Sequence, residues 1–228
     1  MTDAPFRPFD SHLDEAAALR LLRQATAGAE DGELFLERRR GESLVLDDGR
    51  IRTASYDASE GFGLRAVKGE VAGYAHSTEI SESALKRATD TARLAVGDGG
   101  GTLADAPART NRHLYTDADP LADASFAAKI DILREIDAHA RAADPRVVQV
   151  TASLSASLQE VEILRPEGLR FTDIRPMARL NVSVILEQDG RRETGGTGGG
   201  GRHGPAGEQG PAPWKTRGEE GSPTAPRN

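Results

Sequence analysis

The chain has 228 residues, 37% of them hydrophobic, 29% charged and 4% aromatic, with a formal net charge of -7. That acidity argues against nucleic-acid binding, which needs a basic stripe to neutralise phosphates, and no polybasic segment suits a membrane surface. The absence of cysteine excludes disulfides, thiolate zinc sites and cysteine nucleophiles.

Met1 to Phe9 has no apolar stretch of the kind a secretory signal needs, and residues 1–10 read as a flexible N-terminus. No aliphatic run is long enough to span a bilayer, so the expected location is cytoplasmic. Ser11 and Asp14 resemble a capping box, and Leu13, Ala17 and Leu21 recur four apart. This predicts an amphipathic helix from Ser11 to about Ala27, stopped by Gly28. Leu34 to Arg39 reads as a strand. Leu44–Leu46 and Ile51–Ser55 flank the turn Asp47-Asp48-Gly49. Phe62–Val67 and Val71–His76 form a second pair around Lys68-Gly69-Glu70. Helical spacing returns over Ser81–Val96 and stops at a glycine cluster from Gly97. Ser125 caps a long helix through Ala142, which Asp144-Pro145 ends. Strands come next over Val147–Ser155, Leu158–Leu164, Leu169–Ile174 and Ala178–Glu187.

The order helix, strand, hairpin, strand occurs twice and suggests an internal repeat. The fold class expected is α+β, an antiparallel sheet or sheets with helices packed on one face. From Gly195 to Asn228 there are 11 glycines and 5 prolines and no Leu, Ile, Val, Met, Phe or Tyr. Such a segment cannot bury enough apolar surface to offset chain entropy. The expected organisation is therefore one domain over residues 11–194 and a disordered Gly/Pro-rich tail over 195–228.

Few residues suggest chemistry directly. The five histidines are His12, His76, His113, His139 and His203; none precedes a Glu and no two lie four apart, so a helical zinc pair is absent. Arg38-Arg39-Arg40 reads as the charged end of an edge strand. Gly196 to Gly201 satisfies G-x-G-x-x-G only as any glycine run does. More informative is Gly61-Phe62-Gly63-Leu64-Arg65, because glycine inside a strand implies either a bend or the close approach of another backbone. An added peptide strand is one such backbone.

Three blocks carry a resemblance. Tyr56 to Glu70, running on through Gly73-Tyr74-Ala75 to Ser81, is the first. Val150-Thr151-Ala152-Ser153-Leu154-Ser155 is the second. The third is Asp173-Ile174-Arg175-Pro176, then Arg179 to Val184, Gly190 to Glu193 and Gly198-Gly199-Gly200-Gly201-Arg202. Over about residues 11–202 the chain resembles the amino-terminal domain of the TldD/PmbA metallopeptidases, once called modulators of DNA gyrase, and the TldD branch in particular.

The resemblance implies a zinc peptidase acting on unfolded peptides, whose H-E-x-x-x-H motif lies in a carboxy-terminal domain. No residue here matches that motif, so it implies no catalytic residue, metal ligand or cofactor site in this chain, and zinc belongs to the full-length family. The expected partners are a PmbA-type subunit, or a second copy, and an unfolded peptide. Candidate contacts to a substrate strand or cleft are Gly61, Gly63, Arg65, Gly198, Gly199, Gly200, Gly201 and Arg202. From His203 the sequence leaves the family's pattern, as a truncated or frameshifted reading frame would. Without the H-E-x-x-x-H domain the expected fragment is inactive by itself; a non-catalytic module that binds a PmbA-type partner or an extended peptide by strand addition is the alternative.

Overall fold

A proline near the start of the chain sets the first departure from these expectations. In a computed structural model, which describes residues 5–97 and 116–202, Pro8 opens a separate one-turn helix, α1 (Pro8–Ser11). The hydroxyl of Ser11 donates to the Arg7 carbonyl at 3.0 Å, so it does not cap the longer second helix. Asp14 does: its backbone is extended and its Oδ1 accepts the amide of Ala17 at 2.7 Å, starting α2 (Glu15–Ala25). Of the expected flexible N-terminus, residues 1–4 lie outside the described residues, and in the rest Phe6 and Pro8 are buried.

The strands are longer than the sequence suggests. β1 (Asp31–Asp47) and β2 (Arg50–Lys68) form a hairpin through Asp48-Gly49, where both residues have positive φ. β3 (Val71–Ser77) pairs antiparallel with the end of β2, from Phe62 opposite Ser77 to Lys68 opposite Val71. α3 (Glu82–Val96) comes next, capped by Ser81, whose Oγ accepts the Ala84 amide at 3.1 Å. α4 (Phe126–Ala143) is capped in the same way by Ser125. β4 (Val147–Leu164), β5 (Arg170–Gln188) and β6 (Arg191–Gly201) are the remaining strands.

All six strands join one sheet in the order β3-β2-β1-β4-β5-β6. β1 and β4 run antiparallel, because partners rise along one as they fall along the other: Asp31 meets Arg165, Glu37 meets Gln159, and Asp47 meets Gln149. The strand order is symmetrical about the β1–β4 pair. β5 and β6 pair from Ala178 opposite Gly201 to Gln188 opposite Arg191. Residues 195–201 are therefore the outermost strand, correcting the expectation of disorder from Gly195. Alternate residues exchange amide–carbonyl hydrogen bonds with β5, which needs no apolar side chains. Residues 203–228, the remainder of the expected tail, lie outside the described residues.

Two compact units share the chain. The first takes in the described residues through Arg39, 58–97 and Gln159–Ile174. Its core joins Leu22 and Ala25 of α2 and Leu85, Ala88 and Ala92 of α3 to Leu34, Leu36, Leu64 and Leu164. The second takes in Arg40–Asp57, 116–158 and 175–202. There Leu133 and Ile136 of α4 pack on Leu44, Leu46, Ala152 and Leu154. Even-numbered residues of β1 and β4 supply both cores, as the two-residue period of a strand requires.

At the end of α4, Asp144 accepts from the Arg146 guanidinium and backbone amide, which hold its carboxyl down at about 2, against 3.8 ordinarily. A depressed carboxylate contributes stability above its unfolded value and loses it as pH falls through the folded one. The contribution should therefore be intact above about pH 4 and vanish toward about pH 2. Carboxyl-detected NMR titration of Asp144 checks this; an ordinary value would refute it.

Candidate functional site

Among the sequence candidates, Gly61, Gly63 and Arg65 lie together on β2 in the first unit, and their neighbours come from the chain itself. A Cβ on Gly61 would meet the Ser77 carbonyl oxygen at 2.5 Å, and one on Gly63 would meet the Tyr74 hydroxyl at 2.7 Å and its ring at 3.1 Å. The Tyr74 ring also stacks on His76, with centroids 5.7 Å apart. This ring fills the space a side chain would occupy. Over residues 62–68, β2 already has β3 on one side, and the sheet places β1 on the other. The glycines thus admit the chain's own β3.

Arg65 is tied into a charge cluster. Its Nη2 donates to Asp31 at 3.2 Å and its Nε lies 3.3 Å from Glu33. Arg165 reaches the same two carboxylates, at 2.5 Å and 3.7 Å. Two arginines facing two acids neutralise each other locally, so Arg65 is not an unengaged cation awaiting a substrate carboxylate.

Gly198 to Gly201 end β6 in the second unit, and exposed Arg202 comes directly after. A Cβ on Gly198 would meet Asn181 Oδ1 at 2.6 Å, and one on Gly200 the Ala178 carbonyl at 2.5 Å. At Gly200 the obstacle is the backbone of β5, whereas at Gly198 it is the end of a side chain that can turn away.

The inward charges of β1 are not evident from the sequence. Arg38-Arg39-Arg40 is not the end of an edge strand, because β1 continues to Asp47 and lies in the sheet interior. In the first unit, Arg38 makes a bidentate pair with Glu160 of β4, Nε donating to Oε2 at 3.0 Å and Nη2 to Oε1 at 3.1 Å. In the second, Arg40 pairs with Asp119 at 2.9 Å, and Glu42 pairs with Lys129 of α4, only 1% exposed. Their alternation at 38, 40 and 42 is the signal that one face of a single strand carries them. Burial raises the Glu162 carboxyl above its ordinary value, against the opposing effect of Arg170. Hydrogen bonds from Gln149 and Thr151 lower that of Asp47.

These residues do not fit a metal. Among the described residues no group of three or more His, Asp or Glu side chains is placed to hold one. Asp31, Glu33, Glu42, Asp119, Glu160 and Glu162 all face arginine or lysine cations. Among the described residues no helix is long and apolar enough to cross a membrane.

Comparison with known proteins agrees with this scaffold. The PmbA/TldA metallopeptidase domain 1 matches residues 32–96, and the central domain of the same family matches residues 119–213. The similarity thus runs beyond Arg202, where the sequence motifs end. The chain is 32% identical over 190 residues to the metalloprotease TldD homolog of Buchnera aphidicola subsp. Acyrthosiphon pisum, covering 83% of this chain and 39% of that protein. It is 35% identical over 175 residues to the homolog of Haemophilus influenzae, covering 75% and 36%. The chain therefore spans less than two-fifths of the length of these relatives.

Solved structures share the fold. TldE from Thermococcus kodakarensis superposes with a TM-score of 0.67 at 17% identity, over 82% of this chain and 43% of that one. A chain from Thermotoga maritima described as a modulator of DNA gyrase gives 0.69 at 16%, over 91% and 47%. Two family domains in their expected order, together with relatives above 30% identity over most of its length, make this chain a member of the PmbA/TldD metallopeptidase family.

Proposed function

We propose that the chain is the amino-terminal part of a TldD-type zinc peptidase acting in the cytoplasm on unfolded peptides, and that the 228-residue polypeptide alone does not cleave them. The carrying observation is the 32–35% identity to metalloprotease TldD homologs over most of this chain but only 36–39% of theirs. Within the 228 residues no His is followed by Glu, so the metal-binding motif expected of the family has no counterpart. The role left to this portion is to support a catalytic domain and help bound the approach to it.

The expected result with purified chain, zinc and a fluorogenic unfolded peptide is no chelator-sensitive cleavage. Zinc-dependent turnover that disappears with chelator and copurifies with the chain would overturn the reading. A second reading, a non-catalytic module that binds a PmbA-type partner or an extended peptide, draws support from β6, a terminal strand whose only side chain from 195 to 201 is Thr197. Stable copurification with a coexpressed TldE-type subunit would favour it.

A further inference from the structure

The first unit carries an arrangement that the peptidase reading does not use. Residues 5–11 lie across two alternate positions of β4, Glu160 and Glu162, which are 8% and 2% exposed. Each carboxylate holds an arginine, and each arginine faces an aromatic ring of the N-terminal segment. Arg38 chelates Glu160 and sets its guanidinium carbon 5.6 Å from the Phe6 ring centroid. Arg170 contacts Glu162 at 2.7 Å and lies 5.2 Å from the Phe9 centroid. The Phe6 amide donates to Glu160 Oε1 at 2.9 Å.

Phe6 belongs to the apolar core of the unit and Phe9 packs against it, but the charged contacts have two further properties. The arginine–carboxylate pairs close on groups outside the segment, on β1, β4 and β5, so lifting it leaves neither charge stranded. The segment itself contributes two aromatic faces and a backbone donor, and its Arg7–Asp10 ion pair is internal to it. A ring beneath a guanidinium and a backbone N–H on a fixed carboxylate are means by which proteins grip peptides.

We propose that residues 5–11 are a detachable strap occupying, in cis, a preformed groove that binds a peptide segment with two aromatic residues three apart, and that such a segment from another polypeptide takes its place when the strap lifts. A groove occupied in cis binds in trans only in proportion to the fraction that is open. The probe is a fluorescent peptide with the sequence of residues 4–13. It should bind the full-length Phe6→Ser/Phe9→Ser chain saturably, and the unaltered chain at least tenfold more weakly. A peptide with both phenylalanines replaced by serine should bind neither. Equal binding to both chains, or none to a folded variant, would overturn the proposal.

Because the double variant could fail to fold, hydrogen exchange on the unaltered chain provides an independent test. The Phe6 amide should exchange at least a hundredfold faster than the amides of Leu34 and Leu36 in the same unit. Exchange of Phe6 at their rate would mean that the strap leaves only when the unit unfolds, and would refute detachment.

Discussion

Replacing Gly73 with alanine should destabilise the protein by about 2 kcal/mol, a steric cost partly offset by the reduced freedom of the unfolded chain. Gly73 lies on β3 opposite Ala66, beneath α3. A Cβ there would meet the carbonyl oxygen of Ala92 at 2.3 Å and Val96 Cγ2 at 3.1 Å. The first clash is with helix backbone, which no rotamer change relieves, so α3 would have to shift and unpack its buried Ala88 and Ala92 from the core. The control is Gly49→Ala, where nothing lies within 4 Å but φ is +76°. It should cost about 1 kcal/mol from backbone strain alone. Urea denaturation of both variants checks the ranking, and a Gly73→Ala chain as stable as the parent would refute the packing argument.

The second large effect is expected at the buried pair of Lys129 and Glu42. Lys129 extends from α4 to Glu42 on β1 and donates to the Leu121 carbonyl at 2.7 Å. It thereby anchors the segment before α4 as well as the helix. Glu42→Gln removes the counter-charge and leaves an ammonium group almost wholly buried, at a cost of about 3 kcal/mol. The double replacement Lys129→Met/Glu42→Leu removes both charges and should cost much less, because apolar side chains of similar size need no compensation. Denaturation of the single and double variants gives the coupling between the two sites. Additive losses would show that the charges act independently.

Local devices were legible in the sequence. Ser125 announces α4 because an N-cap needs only a side-chain oxygen and an amide three residues on, and helical spacing marks α3. Asp48-Gly49 announces its hairpin because positive φ is a property of a residue or two. Ser11 misled because a competing acceptor, the Arg7 carbonyl, lies one turn back, and that turn exists only because of Pro8. The run Arg38-Arg39-Arg40 misled for a different reason. Charges in a strand read as an edge or an end, whereas here Arg38 and Arg40 meet Glu160 and Asp119, far away in sequence.

The candidate contacts divide in the same way. Glycine at 61, 63, 198 and 200 signals close approach, but not by what. The tertiary structure supplies the occupants: the Ser77 carbonyl, the Tyr74 ring, the Asn181 side chain and the Ala178 carbonyl. The sequence by itself determined the α+β class, the starts of α3 and α4 and the family, since periodicity, caps and motif order are written locally along the chain. Only the tertiary structure decided that Gly195–Gly201 is a strand, that the β1 arginines face inward, and that Phe6 and Phe9 lie beneath Arg38 and Arg170. A strand's partner and a buried charge's counter-ion depend on which distant segments meet, and no local pattern encodes that.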